Sequence, residues 1–476
     1  MVNYSLGNNT LVGRHGNDDL SAYGSEGNNR LDGGTEEDLI SADFSKGMNT
    51  LIGGSSSDRL HINSATGNNI LDGGAGDDYL EARVVTGTNS LLGGGGVDSL
   101  AIDAGNGASL VAQTVDGGSE MDTLYIDYSA ANAALSMVFL NAAKTAGTIT
   151  AGTNQVKFKN IENLNITGSI YDETITGGNG NDLLRSGGGN DNLSGGGGSD
   201  TLVAYPSSGT VVLDGGSGND DLSNYSSTGN VTVKGGNDND RLSNYSSNGG
   251  TVALNGGEGS DELITFSSSG NVTLTGGTGD DRLSDSFSIS GALTLNGGDG
   301  ADNLTAYGSA GSTTLYGGAG NDELNAFFTT GDASLFGGDG NDTLTASETS
   351  GNTVINGGTG DDILMSGSGG NLLVGGSGID TLTGNGGTDT FFLNNYTEGT
   401  DTILDFTVGQ DIIGISATGF GGGLVAGPLQ SAQFESGTAA TSASTRFIHD
   451  SATGALYFDR DGILFLSIHP QICKQD

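Results

Sequence analysis

Apolar and polar residues alternate along this chain in short runs that return about every 20 residues. In the stretch 256–274, Leu263 alternates with polar neighbours in one run, and Val272 and Leu274 do so in the next. A period of two is typical of strands with one buried face. Each repeat therefore predicts two short strands joined by two turns, and no helix fits the pattern.

One apolar position returns in every repeat of the second half of the chain. A unit this short buries its apolar face only against copies of itself. The pattern predicts an all-β fold, a parallel β-roll or β-solenoid of about 20-residue coils that rises about 4.8 Å per coil. The predicted inward row comprises Leu202, Leu222, Leu242, Leu263, Leu283, Leu304, Leu324 and Leu344.

One turn of each repeat reads glycine-glycine-x-glycine-x-aspartate, as in residues 337–342 and 357–362. Glycine allows positive φ, so the backbone turns sharply and successive carbonyls face one centre. Turn propensity explains glycine, asparagine and aspartate in turns, but not an aspartate fixed at one position. The sixth-position aspartates are Asp18, Asp38, Asp58, Asp78, Asp98, Asp122, Asp182, Asp200, Asp220, Asp240, Asp261, Asp281, Asp302, Asp322, Asp342, Asp362 and Asp380.

These turns offer oxygen donors only, which is the chemistry that calcium prefers, with about six to eight ligands per ion. One turn supplies too few, so each ion is expected between the turns of adjacent coils, which couples folding to metal binding. The gaps between six turns and between eleven turns predict about fifteen ions. Backbone at Gly337, Gly340, Gly357 and Gly360 is predicted to contribute alongside the aspartates.

Some turns depart from this form. Asp191 and Asp389 each lie nine residues from a sixth-position aspartate, which predicts calcium on the opposite edge at these two points. In four other turns the fourth glycine is replaced, so weaker or different binding is expected there. The replacements are Glu36, Ser56, Glu120 and Asp238.

The periodicity divides the chain into four segments. Residues 1–122 form a first repeat array, 123–176 a β-rich connector, 177–390 a second array, and 391–476 a C-terminal cap that is also a candidate secretion region. In the second array an aromatic residue recurs at the turn that lacks aspartate. A packed aromatic row is the favoured interpretation, and a carbohydrate-binding edge stays open.

The charge supports a metal requirement. The chain carries 57 acidic and 15 basic residues, a net charge of −42, with 34% apolar residues. Such a composition predicts disorder unless the charge is neutralised, and fifteen divalent ions would reduce it to about −12. The scarcity of lysine and arginine argues against nucleic acid or anionic membranes as partners. No apolar run is long enough for a membrane-spanning helix.

The turn resembles the nonapeptide repeat of RTX (repeats-in-toxin) proteins over residues 1–122 and 177–390. Residues 158–168 are similar to a connector common in these proteins, and 389–413 to the region that closes their arrays. Residues 445–462 resemble the C-terminal segment of cyanobacterial members. The resemblance implies a parallel β-roll, calcium as the metal, type I secretion and an extracellular or cell-surface location. This chain departs from the family in its 20-residue coil with mostly one calcium edge.

No catalytic constellation is found. The four histidines lack the His-Glu-x-x-His spacing of zinc enzymes, and no phosphate-binding glycine loop is present. The sequence therefore predicts a non-enzymatic, secreted or cell-surface, calcium-binding structural protein. Two alternatives stay open: a secretion and folding module of a larger enzyme or toxin, and an adhesin or an ice- or glycan-binding solenoid. A cell-surface or glycan partner, and an oligomer or filament, also stay open.

Overall fold

The computed structural model describes residues 1, 3–103, 112–288, 290–460 and 469–474, the last range by its backbone. The chain forms two compact units, residues 1–243 and 244–476. Each unit is a parallel β-solenoid whose regular coils contribute one longer and one shorter strand. The predicted all-β solenoid fold is confirmed.

In unit 1 the longer strands are Asn9–His15, Asn29–Thr35, Asn49–Ser55, Ile70–Ala75, Ser90–Gly95, Gln113–Ser119, Asn154–Lys159, Thr174–Thr176, Asp191–Gly197, Val211–Ser217 and Val231–Asn237. The shorter strands are Asp19–Ser21, Leu39–Ser41, Arg59–Asn63, Tyr79–Arg83, Ser99–Asp103, Thr123–Asp127, Asn163–Thr167, Leu183–Ser186, Thr201–Ala204 and Asp221–Tyr225. The strand Arg241–Tyr245 contains the boundary between the units.

In unit 2 the longer strands are Val252–Glu258, Val272–Thr278, Leu293–Asp299, Thr313–Ala319, Ala333–Asp339, Thr353–Thr359, Leu372–Ser377, Thr390–Leu393 and Ile412–Ile415. The shorter strands are Glu262–Phe266, Arg282–Ser286, Asn303–Tyr307, Glu323–Phe327, Thr343–Thr345, Ile363–Met365, Thr381–Thr383 and Asp401–Ile403. The tail adds the strands Phe434–Ser436, Phe447–Asp450, Ala455–Phe458 and His469–Lys474, the helix Ala417–Phe420 and the 3₁₀ helix Ser431–Gln433.

Neighbouring coils pair in parallel and in register, so equivalent residues stack directly. Leu263 lies opposite Leu283, and Leu283 lies opposite Leu304. The whole predicted leucine row is buried, as are Val272 and Leu274. Apolar side chains thus form continuous inward rows, as the alternation predicts. The turns lie at two edges: the first edge carries the sixth-position aspartates, and the second edge carries the other turns.

Part of the connector continues the solenoid. Thr123–Asp127 pairs in parallel with Asn163–Thr167, and Gln113–Ser119 pairs in parallel with Asn154–Lys159. The intervening strands Leu135–Phe139 and Gly147–Ala151 form an antiparallel hairpin. The break in the sequence period therefore arises from an inserted hairpin.

The tail covers the edge of a solenoid strand. The backbone of His469–Lys474 pairs in parallel with Asp401–Ile403 and antiparallel with Ala455–Phe458. Three aromatic rings, those of Phe420, Phe447 and Phe458, pack with centroids 4.8 to 5.9 Å apart. A covered strand edge is closed to further pairing, which supports the predicted C-terminal cap; the division of the chain into four segments stays a prediction.

Candidate metal centre

The sixth-position aspartates form a hydrogen-bonded row along the first edge. The backbone N–H of Asp281 donates to Oδ1 of Asp302, 2.7 Å away, and the N–H of Asp302 donates to Oδ1 of Asp322 at 2.8 Å. The same bond joins Asp38 to Asp58 in unit 1 at 2.8 Å. Each carboxylate is thus held in place by the turn of the preceding coil.

The second carboxylate oxygen of most members of this row has no protein donor. It is buried, and it accepts no hydrogen bond within the part of the chain that the structure describes. A buried polar atom without a partner is unfavourable, and more so when charged. Such Oδ2 atoms belong to Asp18, Asp38, Asp58, Asp78, Asp98, Asp122, Asp200, Asp220, Asp281, Asp302, Asp322, Asp342, Asp362 and Asp380.

The first glycine of each turn leaves room for these oxygens. A β-carbon added to Gly337 would collide with Oδ2 of Asp342 and with the carbonyl oxygen of Gly357. A β-carbon added to Gly357 would collide in the same way with Oδ2 of Asp362 and the carbonyl oxygen of Gly375. Oxygens from two adjacent coils therefore converge at both of these turns, which fits a hard cation with oxygen ligands.

The fourth position needs a positive φ whether or not it is glycine. Gly340 and Gly360 have φ values of 130° and 123°. The replacements Glu36, Ser56, Glu120 and Asp238 keep the left-handed backbone, with φ of 70°, 85°, 83° and 75°. Their turns retain the sharp bend, at the steric cost that a side chain carries there.

Burial and like charge raise the pKa of the carboxyls in this row. Burial, and then the charges of Asp261 and Asp302, raises the pKa of Asp281 to about 7. Burial, and then Asp380 and Asp342, raises the pKa of Asp362 to about 7. Hydrogen bonds from backbone N–H groups oppose the rise only in part. The ionised row therefore favours a cation between its members.

Side chains alone do not complete a metal site. Within the described ranges, no three histidine, cysteine, aspartate or glutamate side chains converge where they could hold a metal ion. Backbone carbonyls would have to supply most ligands, as expected from the glycine content of the turns. The family model of the RTX calcium-binding nonapeptide repeat matches about half of the chain, at residues 5–22, 23–44, 61–83, 167–202, 225–251, 255–284, 307–327, 329–348, 349–369 and 365–395.

The chain belongs to the RTX calcium-binding repeat family. Its repeats are calcium-binding repeats, so calcium is the cation that the carboxylate row is suited to hold. This RTX protein is therefore a calcium-binding structural protein built as a β-solenoid. No curated protein matches the chain. The number of ions and the likeness to cyanobacterial members stay predictions.

Asp191 and Asp389 lie on the second edge, where their spacing places them. Asp191 is buried; its Oδ1 accepts from the N–H of Glu173 at 3.0 Å, and its Oδ2 accepts no hydrogen bond among the described residues. Oδ1 of Asp389 accepts from Nδ2 of Asn371 at 2.9 Å, and its N–H donates to Asp411 at 3.1 Å. Calcium at these two points stays a prediction.

A buried asparagine row occupies the second edge of the first array. Nδ2 of Asn29 donates to Oδ1 of Asn49 at 2.6 Å, Asn49 donates to Asn69 at 2.5 Å, and Asn69 donates to Asn89 at 2.7 Å. An amide both donates and accepts, so the row satisfies itself without a metal. Sequence reasoning missed this row, although asparagine returns there every 20 residues.

Two acidic residues outside the predicted set also have defined partners. Oε2 of Glu162 in the connector accepts from the N–H of Asp122 at 2.9 Å, as an aspartate does in a regular coil. Asp285 is fully buried, yet its carboxylate accepts from the hydroxyls of Ser288 at 2.7 Å and Ser309 at 3.1 Å. Asp285 therefore needs no cation, in contrast to the first-edge row.

The aromatic residues at the second edge pack against one another. Phe287 lies edge-on to Phe266 and to Tyr307, with centroids 5.7 and 5.3 Å apart, and Tyr307 contacts Phe328 at 5.3 Å. Each ring is 37% to 47% exposed. Rings that face one another's edges support the packed aromatic row more than a surface for stacking sugars.

Proposed function

We propose that this RTX protein is secreted or displayed at the cell surface, and that its coils fold when calcium binds between their stacked turns. The observation that carries the proposal is the row of buried carboxylate oxygens without donors on the first edge. Protonation or a cation must compensate these charges. Carboxyls with a pKa of about 7 are partly ionised at neutral pH, and extracellular calcium would bind their ionised form.

The proposed ligands follow from the turn geometry. The sixth-position aspartates would supply carboxylate oxygens, and glycines such as Gly337 and Gly357 would supply carbonyl oxygens from the same and the next coil. Glycines such as Gly340 would shape the bend. Asp191 and Asp389 would add ligands on the second edge. Bound calcium supplies positive charge between adjacent coils, and about fifteen divalent ions would neutralise the first-edge row and reduce the net charge of −42 to about −12.

The proposed location follows from calcium levels. Extracellular calcium-binding modules have dissociation constants of about 10⁻⁴–10⁻³ M, so the turns would stay empty inside the cell and fill outside it. No helix in the described ranges is long and apolar enough to cross a membrane. Fractionation of expressing cells tests the location: the protein is expected in the medium or on intact cells, and an entirely intracellular pool would contradict it.

Far-UV circular dichroism of the purified chain tests the folding mechanism. Titration with calcium should produce a steep transition from coil to β-structure, which chelator reverses and magnesium does not produce. A β signal that persists unchanged in chelator would show that the apolar rows suffice. Calcium would then not be required for folding, and the proposed calcium-dependent folding would be rejected.

A further inference from the structure

The turn at residues 177–182 differs from the other calcium turns. Oδ2 of Asp182 accepts a hydrogen bond of 2.5 Å from the N–H of Gly178. Its Oδ1 accepts from the N–H of Leu164 at 2.6 Å. Both oxygens of this buried carboxylate therefore have protein donors, whereas Oδ2 of Asp200 in the next turn accepts none among the described residues.

The hairpin loop of the connector lies against this turn. Nδ2 of Asn179 donates to the carbonyl oxygen of Ala143 at 3.2 Å. A β-carbon added to Gly178 would lie 3.4 Å from the carbonyl oxygen of Lys144. The side chain of Asn141 closes the loop, because its Oδ1 accepts from the N–H of Thr145 at 3.0 Å. The loop is thus fixed at the first edge.

This loop directs a positive charge to the first edge. A β-carbon added to Gly196, in the turn of Asp200, would lie 3.1 Å from Nζ of Lys144. Attraction by the Lys144 ammonium opposes the effect of burial on the pKa of both Asp182 and Asp200. At Asp281 and Asp362, by contrast, the neighbouring charges that act are carboxylates.

We propose that the Lys144 ammonium is a built-in counter-ion for the Asp182 turn and takes the place of one calcium ion there. The inference rests on the proposed calcium function. An ammonium tethered at this turn repels a divalent cation, so the turn would exclude the ion that its neighbours require. The second array then begins at a turn that is ordered without metal. Asp182, predicted from the sequence as a calcium ligand, would then have the N–H of Gly178 as its hydrogen-bond donor and the Lys144 ammonium as a nearby opposite charge.

Native mass spectrometry of the full chain in calcium tests this assignment, because it counts bound ions directly. Lys144→Gln should bind one more calcium than the wild type, and Lys144→Arg should bind the same number. Lys157→Gln is the matched control: it removes the same charge from an exposed site in the same connector, and its count should not change. Circular dichroism in calcium verifies that each variant folds.

An equal, nonzero count in wild type and folded Lys144→Gln overturns the lysine assignment and leaves the calcium function intact. A wild type that binds no calcium overturns the calcium function itself. The double variant Lys144→Gln/Asp182→Asn should lose the extra ion; if it keeps the ion, the site lies elsewhere. Should Lys144→Gln fail to fold, Asn141→Ala, which loosens the loop, should gain the ion, and no gain there refutes the proposal.

Discussion

Replacement of Asp281 by asparagine should stabilise the calcium-free protein and weaken its stabilisation by calcium. Asparagine keeps the Oδ1 acceptor that the N–H of Asp261 uses at 2.8 Å. It replaces the partnerless, buried Oδ2 by an amide N–H₂. The carbonyl oxygen of Gly297 approaches the same side of the turn, so the new donor has an acceptor nearby. The variant therefore removes a buried charge with little change of shape.

The expected magnitude follows from the raised pKa. A pKa of about 7 in the folded state, against an ordinary 3.8, means that ionisation at pH 8 disfavours the calcium-free fold by up to about 4 kcal/mol. Asp281→Asn should recover part of this. In calcium at 100 times its dissociation constant, one lost site removes about 2.7 kcal/mol of stabilisation. The variant should thus be more stable than wild type in chelator, and calcium should stabilise it by about 2.7 kcal/mol less than it stabilises the wild type.

Urea unfolding at pH 8, followed by circular dichroism, measures both effects on the same protein. The matched control is Asp299→Asn, which removes an equal charge from an exposed side chain in a nearby turn. The control should shift stability much less in either condition. A variant of Asp281 that is destabilised in chelator, or that keeps its full response to calcium, would refute the account of the carboxylate row.

Three further results are expected. Ser56→Gly should stabilise the protein by about 1 kcal/mol, because Ser56 has a φ of 85°; Ser57→Gly is the control, and thermal unfolding decides. Asn69→Leu should destabilise the protein by about 2 kcal/mol with or without calcium, since it leaves the amides of Asn49 and Asn89 without Asn69 as a hydrogen-bond partner. A loss of stability seen only in calcium would contradict a metal-free second edge. Calcium-free stability should fall as pH rises from 4 to 8. Burial raises the pKa of carboxyls such as Asp200 to about 8 in the folded protein, against about 3.8 in the unfolded chain, so folding in this pH range requires proton uptake. Unfolding of chelated samples at several pH values tests the sign.

Periodic features were predictable from the sequence. The rows of Leu263 and Asp281 repeat at one spacing, and parallel in-register stacking turns a repeated residue into a row. The second-edge asparagines repeat equally well, but asparagine is common in turns. Only the structure shows that Asn49 and Asn69 are buried and bonded to each other.

Features of the connector were not predictable in this way. Glu162 and Lys144 do not belong to a periodic row, so no repeat spacing indicates their roles. Their roles depend on the path of the chain: Glu162 lies one coil beyond Asp122, and Lys144 reaches the first edge from an inserted hairpin. The sequence therefore predicts the role of a residue that recurs in every repeat, but not the role of a residue that has no equivalent in the other repeats.

The hydrogen bonds of the carboxylate row all point the same way along the chain. In unit 2 the N–H of Asp302 needs the carboxylate of Asp322, and the N–H of Asp322 needs that of Asp342. A coil that adds to the N-terminal side of an ordered stretch donates its N–H to a carboxylate that is already ordered. A coil that adds to the C-terminal side must instead order its own carboxylate as the acceptor. The direction of these bonds therefore favours the addition of coils at the N-terminal end of an ordered stretch. Folding of unit 2 is therefore expected to proceed from its C-terminal coils towards its N-terminal coils.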